Sequence, residues 1–228
     1  MKLTLTDRHP ETSDVTTFIF TPDAPVSWKA GQFLEYHLPH PDKDDRGDVR
    51  WFTISAPPFE QHPQITTRFT AQKGSSFKRA LKDLAIGDTI EVKTPEGEFV
   101  IENPDAHYVF VAGGIGITPF RSILQQADHD GLRLNVDLLY ANRSDEFVFK
   151  GELDELAARN PKLKLHYIVA PQRIDEQLLA EYNQKDPKAI FYVSGPEPMV
   201  EALDATLKGI GVPEERITND FFPGYPAE

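Results

Sequence analysis

The stretch YVFVAGGIGITPFRSIL, residues 108–124, decides how this chain is read. Its opening residues form an apolar run of the length of a buried strand. GGIGITP follows, and then an amphipathic run begins. Gly113, Gly114 and Gly116 permit a tight turn and let a ligand approach backbone amides. Thr118 is a natural N-cap, and Pro119 then takes the first helical position, where its missing N–H is no loss. Free N–H groups at a helix start, together with the helix dipole, favour an anion. Gly114 and Gly116 match the first two glycines of the dinucleotide fingerprint, and Pro119 replaces the third. The Lys-Ser/Thr ending of a triphosphate loop is absent. A plain tight turn remains the competing reading of this motif taken alone.

The texture of the chain changes on either side of about residue 103. Before it, LTLT, VTTFIF, QFLEYHL, RWFTIS, QITTRF and TIEVK alternate in the strand manner, with Pro- and Gly-rich turns between them. Such short alternating strands read as an antiparallel sandwich or barrel. One helical piece, SSFKRALKDLA, carries Phe77, Ala80, Leu81 and Leu84 on one face. After it, the apolar strands YVFVA, LNVDLLYA, LKLHYIVA and AIFYVS alternate with helical stretches, the rhythm of a parallel sheet covered on both faces. The expected architecture is an antiparallel β-barrel over residues 1–103 and a doubly wound parallel α/β domain over residues 104–228, joined near ENPDAH.

Bulk properties remove several function classes. The 228 residues are 39% hydrophobic and 26% charged, a composition with ample core. A formal net charge of -12 disfavours nucleic acid and anionic membranes. With no cysteine there are no disulfides, Fe–S clusters, thiolate zinc or cysteine nucleophile. The start, MKLTLTDRHPETSD, lacks the apolar run of a secretory signal, and no segment has the length of a spanning helix. A cytoplasmic location and no direct membrane insertion are expected. His37 and His40 flank Pro39 outside any helix, so no metal site is expected. No G-x-S-x-G elbow is present.

Two further loops carry chemistry. FYVSGPEPMVEAL runs strand, then Ser194-Gly195-Pro196, then helix, so a second small-residue loop ends a parallel strand. Beside the glycine loop it would bracket one crevice; alone it is equally a helix-start signal. In the first half, RWFTISAPP contains Arg50, a bidentate phosphate ligand by type. Alternation puts Arg50, Phe52 and Ile54 on one strand face and Trp51 and Thr53 on the other. Lys73, Gly74, Ser75 and Ser76 then offer amides and hydroxyls at a helix start, a second anion site. Two phosphate sites, one per domain, suggest two dinucleotides. The loop PDKDDRGD lacks the terminal glutamate of a calcium loop and reads as a solvated turn, or as lining for the first ligand, since it leads into Arg50.

These motifs, in this order, resemble the ferredoxin–NADP⁺ reductase superfamily. Its flavin motif, Arg-x-Tyr-Ser/Thr-x-x-Ser, is matched by Arg50, Phe52, Thr53 and Ala56, with Ser55 one residue early. Gly31-Gln32-Phe33 resembles its Gly-Gln-aromatic, and Lys73–Ser76 its second flavin-phosphate loop. Gly113–Pro119 resembles its nicotinamide pyrophosphate loop and Ser194-Gly195-Pro196 its Cys-Gly-Pro. The resemblance implies FAD and NAD(P)H as cofactors. The run Arg50, Trp51, Phe52, Thr53, Ile54 and Ser55 would line the flavin. Within it Arg50 would hold the FAD pyrophosphate, Phe52 would pack on the isoalloxazine, and Thr53 would hydrogen-bond near the reactive nitrogen. Gly114, Gly116 and Thr118 would seat the NAD(P)H pyrophosphate, and Ser194 and Gly195 would border the nicotinamide. Asp220 would be the acid of the C-terminal ITNDFFPGY, and Phe222 or Tyr225 the cover of the flavin; a tail packed into the core is the alternative.

The expected function is hydride transfer from NAD(P)H to FAD, with electrons passed to a separate acceptor: a protein, a quinone, a metal complex or free flavin. Thr53, Ser194 and Asp220 would stand closest to the chemistry. The alternatives are a reductase that uses flavin as a diffusible substrate, and a non-catalytic docking subunit. A monomer is expected. KGSSFKRALK reads either as a basic docking face or as an amphipathic surface helix. Asn142 and Arg143 stand where an acidic ribose ligand is usual, and Arg173 follows a later strand, so the nicotinamide donor is left open.

Overall fold

The computed structural model describes residues 1–69 and 74–221. It divides into two compact units, Met1–Val100 and Ile101–Glu228. The first is built on six antiparallel strands: β1 (Lys2–Pro10), β2 (Val15–Pro22), β3 (Phe33–His37), β4 (Val49–Thr53), β5 (Gln64–Arg68) and β6 (Thr89–Val92), in the order β4-β3-β6-β1-β2-β5. Alternation in LTLT sends Leu3 and Leu5 fully inward, where they meet Phe18 and Phe20 of β2. A bulge between Leu5 and Asp7 shifts the β1–β2 register and curls the sheet. Ser55, just past β4, donates its N–H to the Gln64 carbonyl at 3.1 Å, and its hydroxyl lies 2.8 Å from Thr66 Oγ1. Those bonds draw the two edge strands together and give the sheet its barrel-like form. Helix α1 (Ser76–Asp83) packs Phe77 and Leu81 onto the same core.

The second unit has five parallel strands: β7 (His107–Gly113), β8 (Asn135–Asn142), β9 (Leu163–Val169), β10 (Ile190–Ser194) and β11 (Ile217–Asp220). Their order is β11-β10-β7-β8-β9. Helices α2 (Thr118–His129), α3 (Lys150–Arg159), α4 (Glu176–Lys185) and α5 (Glu197–Gly209) join them. Both faces of β7 are covered, which is why it reads as an unbroken apolar run rather than an alternation. Val109 and Val111 join the cluster of Leu179, Val200 and Leu207 from α4 and α5. Phe110 turns the other way and stacks on Phe120 of α2, ring centres 4.6 Å apart. This is the doubly wound α/β architecture expected from the strand–helix rhythm.

The strand order reverses between β7 and β10. In open α/β sheets the crevice beyond the carboxyl ends of two such strands is the ligand site. One difference from the sequence reading concerns the end of the chain. ITND is a fifth strand, with Ser194 of β10 opposite Asp220. Its four residues carry one apolar side chain and are half-buried or exposed, so no local pattern announces it.

Candidate functional site

Within the second unit the two small-residue loops meet at the switch point. Gly113 ends β7, and a 3₁₀ turn over Gly114–Ile117 runs straight into α2. A Cβ on Gly116 would lie 2.3 Å from the Ser194 carbonyl oxygen and 2.6 Å from Gly195 N, so only glycine lets the loops close on each other. A Cβ on Gly113 would meet Met199 Sδ at 2.3 Å. Gly114 is different: its φ is +53°, and its Cβ position meets only Asn142 Oδ1, at 3.9 Å. That side of the loop is bare backbone with room beside it, which is what a pyrophosphate approaching amide N–H groups requires.

Thr118 is not the N-cap. It is already helical, following directly from the 3₁₀ turn, and Ile117 takes the cap position with no side-chain cap. The Thr118 hydroxyl instead donates back to the Ile115 carbonyl at 3.1 Å. Pro119 thus falls in the second helical position. The first turn of α2 holds no acidic residue and no side-chain cap, although the 3₁₀ turn before it already takes the Thr118 N–H through the Ile115 carbonyl, so the helix dipole meets no local negative side chain. Pro196 precedes α5, likewise without a side-chain cap, and Gly195 approaches Gly113 closely.

Ser194 is buried at the carboxyl end of β10, and its hydroxyl donates to Asp220 Oδ2 at 3.3 Å. Burial pushes the Asp220 carboxyl up to about 6, against the smaller opposing pull of the Ser194 hydrogen bond. The pair sits beside the glycine loop because β10 lies between β7 and β11.

In the first unit, Arg50 projects from β4 with its guanidinium 5.7 Å from the Phe77 ring centre. Its Nη1 donates to the Arg46 carbonyl at 2.6 Å, and its Nη2 lies 3.6 Å from Asp44 Oδ1. Ser75 caps α1, its hydroxyl accepting from Lys78 N. The Ser76 N–H donates to Asp44 Oδ2 at 2.8 Å, and the Ser76 hydroxyl accepts from Asp44 N at 3.0 Å. Arg46 closes the cluster, its Nη2 2.7 Å from Asp44 Oδ2. The Arg46 hydrogen bond, then the Ser76 amide, hold the Asp44 carboxyl well below the usual carboxylate range. The start of α1, with Arg46 and Arg50 beside it, thus already faces a carboxylate. Sequence reasoning left PDKDDRGD as either a solvated turn or lining for the first ligand and did not single out Asp44.

The remaining residues of RWFTIS divide by burial. Phe52 is 6% exposed, with its ring against Tyr36 and Phe77; Ile54 and Ser55 are fully buried, and Thr53 nearly so. Trp51 is 40% exposed. Gly74 accepts from Arg79 Nη1 through its carbonyl. Lys78 of the supposed basic face is buried and donates to the Arg68 carbonyl, so it is not a docking charge. Lys73, Phe222 and Tyr225 lie outside the described residues. Among the described residues no group of side chains could hold a metal ion, and no helix is long and apolar enough to cross a membrane.

Fold and loops define the architecture: a doubly wound α/β unit with two small-residue loops at its switch point, and a separate antiparallel unit. Residues 110–205 match the family model described as "Oxidoreductase NAD-binding domain". The chain is 31% identical over 233 residues to a flavohemoprotein of Pseudomonas putida, covering 96% of this chain and 58% of that protein. It is 30% identical over 223 residues to the ferredoxin reductase component of a 3-ketosteroid-9-alpha-monooxygenase of Rhodococcus rhodochrous, covering 93% and 62%. Its fold overlays the flavohemoglobin of Malassezia yamatoensis, a structure with bound FAD and heme, at a TM-score of 0.80 and 22% identity, over 97% of this chain and 59% of that one. The chain is similar over nearly its whole length to these proteins, and residues 110–205 to the NAD-binding family. It spans about three-fifths of the length of the two relatives.

Proposed function

We propose that this chain takes hydride from NAD(P)H onto FAD and passes the electrons to a separate redox acceptor. The observation that supports the reading is that the motif residues of each unit gather at a helix start. In one unit it is the bare Gly114 face and the uncapped start of α2. In the other it is Arg50 and the start of α1, which hold a carboxylate. Bound flavin supplies the exchange between a two-electron donor and a one- or two-electron acceptor. The protein's part is to hold, orient and exclude water.

In this reading Gly114, Gly116, Thr118 and Pro119 receive the NAD(P)H pyrophosphate at α2. Ser194, Gly195 and Pro196 border the nicotinamide. Arg50, Ser75 and Ser76, with Gly74 and Lys73, receive the FAD phosphates, and Thr53 stands near the flavin ring. Asp220, with its raised proton affinity, holds a proton below about pH 6 and is ionised at neutral pH, beside Ser194 Oγ. The relative named as a reductase component of a monooxygenase supports a protein acceptor.

The test is an absorbance spectrum of the purified chain, then anaerobic addition of NADH or NADPH. A bound-flavin spectrum that bleaches with one nucleotide is expected and identifies the donor. A colourless protein that oxidises NAD(P)H only with added free flavin supports the diffusible-flavin reading instead. A protein inert with added FAD and both nucleotides overturns both.

A further inference from the structure

Asp44 stands where the flavin reading above needs a phosphate. It belongs to the loop PDKDDRGD, 32 residues before Ser76 in sequence, yet its carboxylate takes the first free amide of α1 at 2.8 Å. Arg46 Nη2 lies 2.7 Å from the same carboxylate, and Arg50 Nη2 3.6 Å. The contact is anchored from both sides, because Asp44 N donates to the Ser76 hydroxyl. A helix N-terminus, one guanidinium from a neighbouring strand and a second from the loop are what a phosphate oxygen would use. The other loop acid with a described partner, Asp48, is turned to Lys43 and His37 instead.

We propose that Asp44 is a built-in competitor for the flavin phosphate, and that it sets how this chain discriminates between phosphorylated flavins and riboflavin. The inference rests on the flavin reading of the Arg50 and α1 site. A phosphate can enter in two ways. It can displace the carboxylate from Ser76 N and Arg46, giving up charge-assisted hydrogen bonds already made, and from the ion pair with Arg50. Or it can bind beside the carboxylate and meet a like charge at close range. Both routes weaken FAD and FMN. Neither touches riboflavin, which carries no phosphate. The loop therefore lowers the affinity for flavin nucleotide below what the same site would have without Asp44.

The test is flavin binding, read as quenching of flavin fluorescence in the absence of any nicotinamide. Asp44→Asn removes the charge but keeps an acceptor oxygen for the Ser76 amide. Asp45→Asn is the control, since Asp45 is exposed and its substitution changes net charge equally. D44N should tighten FAD and FMN about tenfold or more while leaving riboflavin within about twofold. D45N should leave all three within about twofold or threefold. Thermal melting of each apoprotein checks that α1 survives, and Asp44→Ser, smaller and uncharged, replaces D44N if it does not. Equal FAD affinity in D44N and D45N, or weaker FAD in D44N, overturns the proposal while leaving the flavin reading intact. No binding of any flavin, wild type included, overturns both together.

Discussion

The Ser194 hydroxyl donates to Oδ2 of Asp220 across 3.3 Å, tying the carboxyl ends of two adjacent parallel strands together at the switch point of the sheet. Burial raises the Asp220 carboxyl to about 6, from 3.8. Below the lower value it is protonated whether the chain is folded or not. Between the two, only the folded chain holds the proton, so stability falls as pH rises, and above about 6 the whole penalty is present. Asp220→Asn removes that penalty. It should raise stability at about pH 7.5 by on the order of 2 kcal/mol and give no gain near pH 4. Urea unfolding at the two pH values measures it; an equal effect at both would refute the assignment.

The glycines of the loop should rank by what a methyl group meets. Gly116→Ala drives a Cβ to within 2.3 Å of the Ser194 carbonyl, which is backbone, and should lower stability by about 2–4 kcal/mol. Gly113→Ala meets the end of the Met199 side chain, which can move, and should fall in between. Gly114→Ala meets only Asn142 Oδ1, at an ordinary van der Waals distance of 3.9 Å, and is penalised only for its positive φ, by about 1 kcal/mol. Chemical denaturation of the three variants gives the order directly.

His107 bridges two carboxylates, with Nε2 3.0 Å from Asp137 Oδ2 and Nδ1 3.0 Å from Asp186 Oδ2. Asp137 is buried in β8 and also faces His166 Nε2 at 3.2 Å and Lys185 Nζ at 3.9 Å. Removing His107 strips a donor from a buried carboxylate, so His107→Ala should destabilise by about 2–4 kcal/mol. A double-mutant cycle with Asp137→Asn should return a coupling above about 1 kcal/mol. A coupling near zero would mean the bridge contributes nothing.

Arg50→Ala should weaken FAD roughly 10- to 100-fold and riboflavin far less, because the guanidinium answers a phosphate rather than the ring. Fluorescence titration with the two flavins separates the cases. An equal loss of both would move Arg50 from the phosphate to the ring.

Much of this molecule was legible before any coordinates. The strand-to-helix switch at Gly113–Pro119, the alternation of LTLT and VTTFIF, and the apolar runs of β7, β8 and β10 report backbone hydrogen bonding and burial within a few residues of each other. Such patterns are local, and local physics writes them into sequence directly. From them came the two architectures, the glycine loop, Arg50 and the Ser194 loop. What escaped was set by partners far away in the chain. ITND becomes a strand only because β10 offers it an edge, and its own residues carry no period. Thr118 is absorbed into the helix because the preceding turn is already helical. Asp44 reaches Ser76, and Asp137 gathers His107 and His166, only once the topology has brought separate strands and loops side by side. Sequence by itself determined most of the strands and helices and where glycine-rich loops join them. Tertiary structure alone decided which charges answer one another, because an electrostatic contact depends on distance in space and leaves no periodicity in the chain.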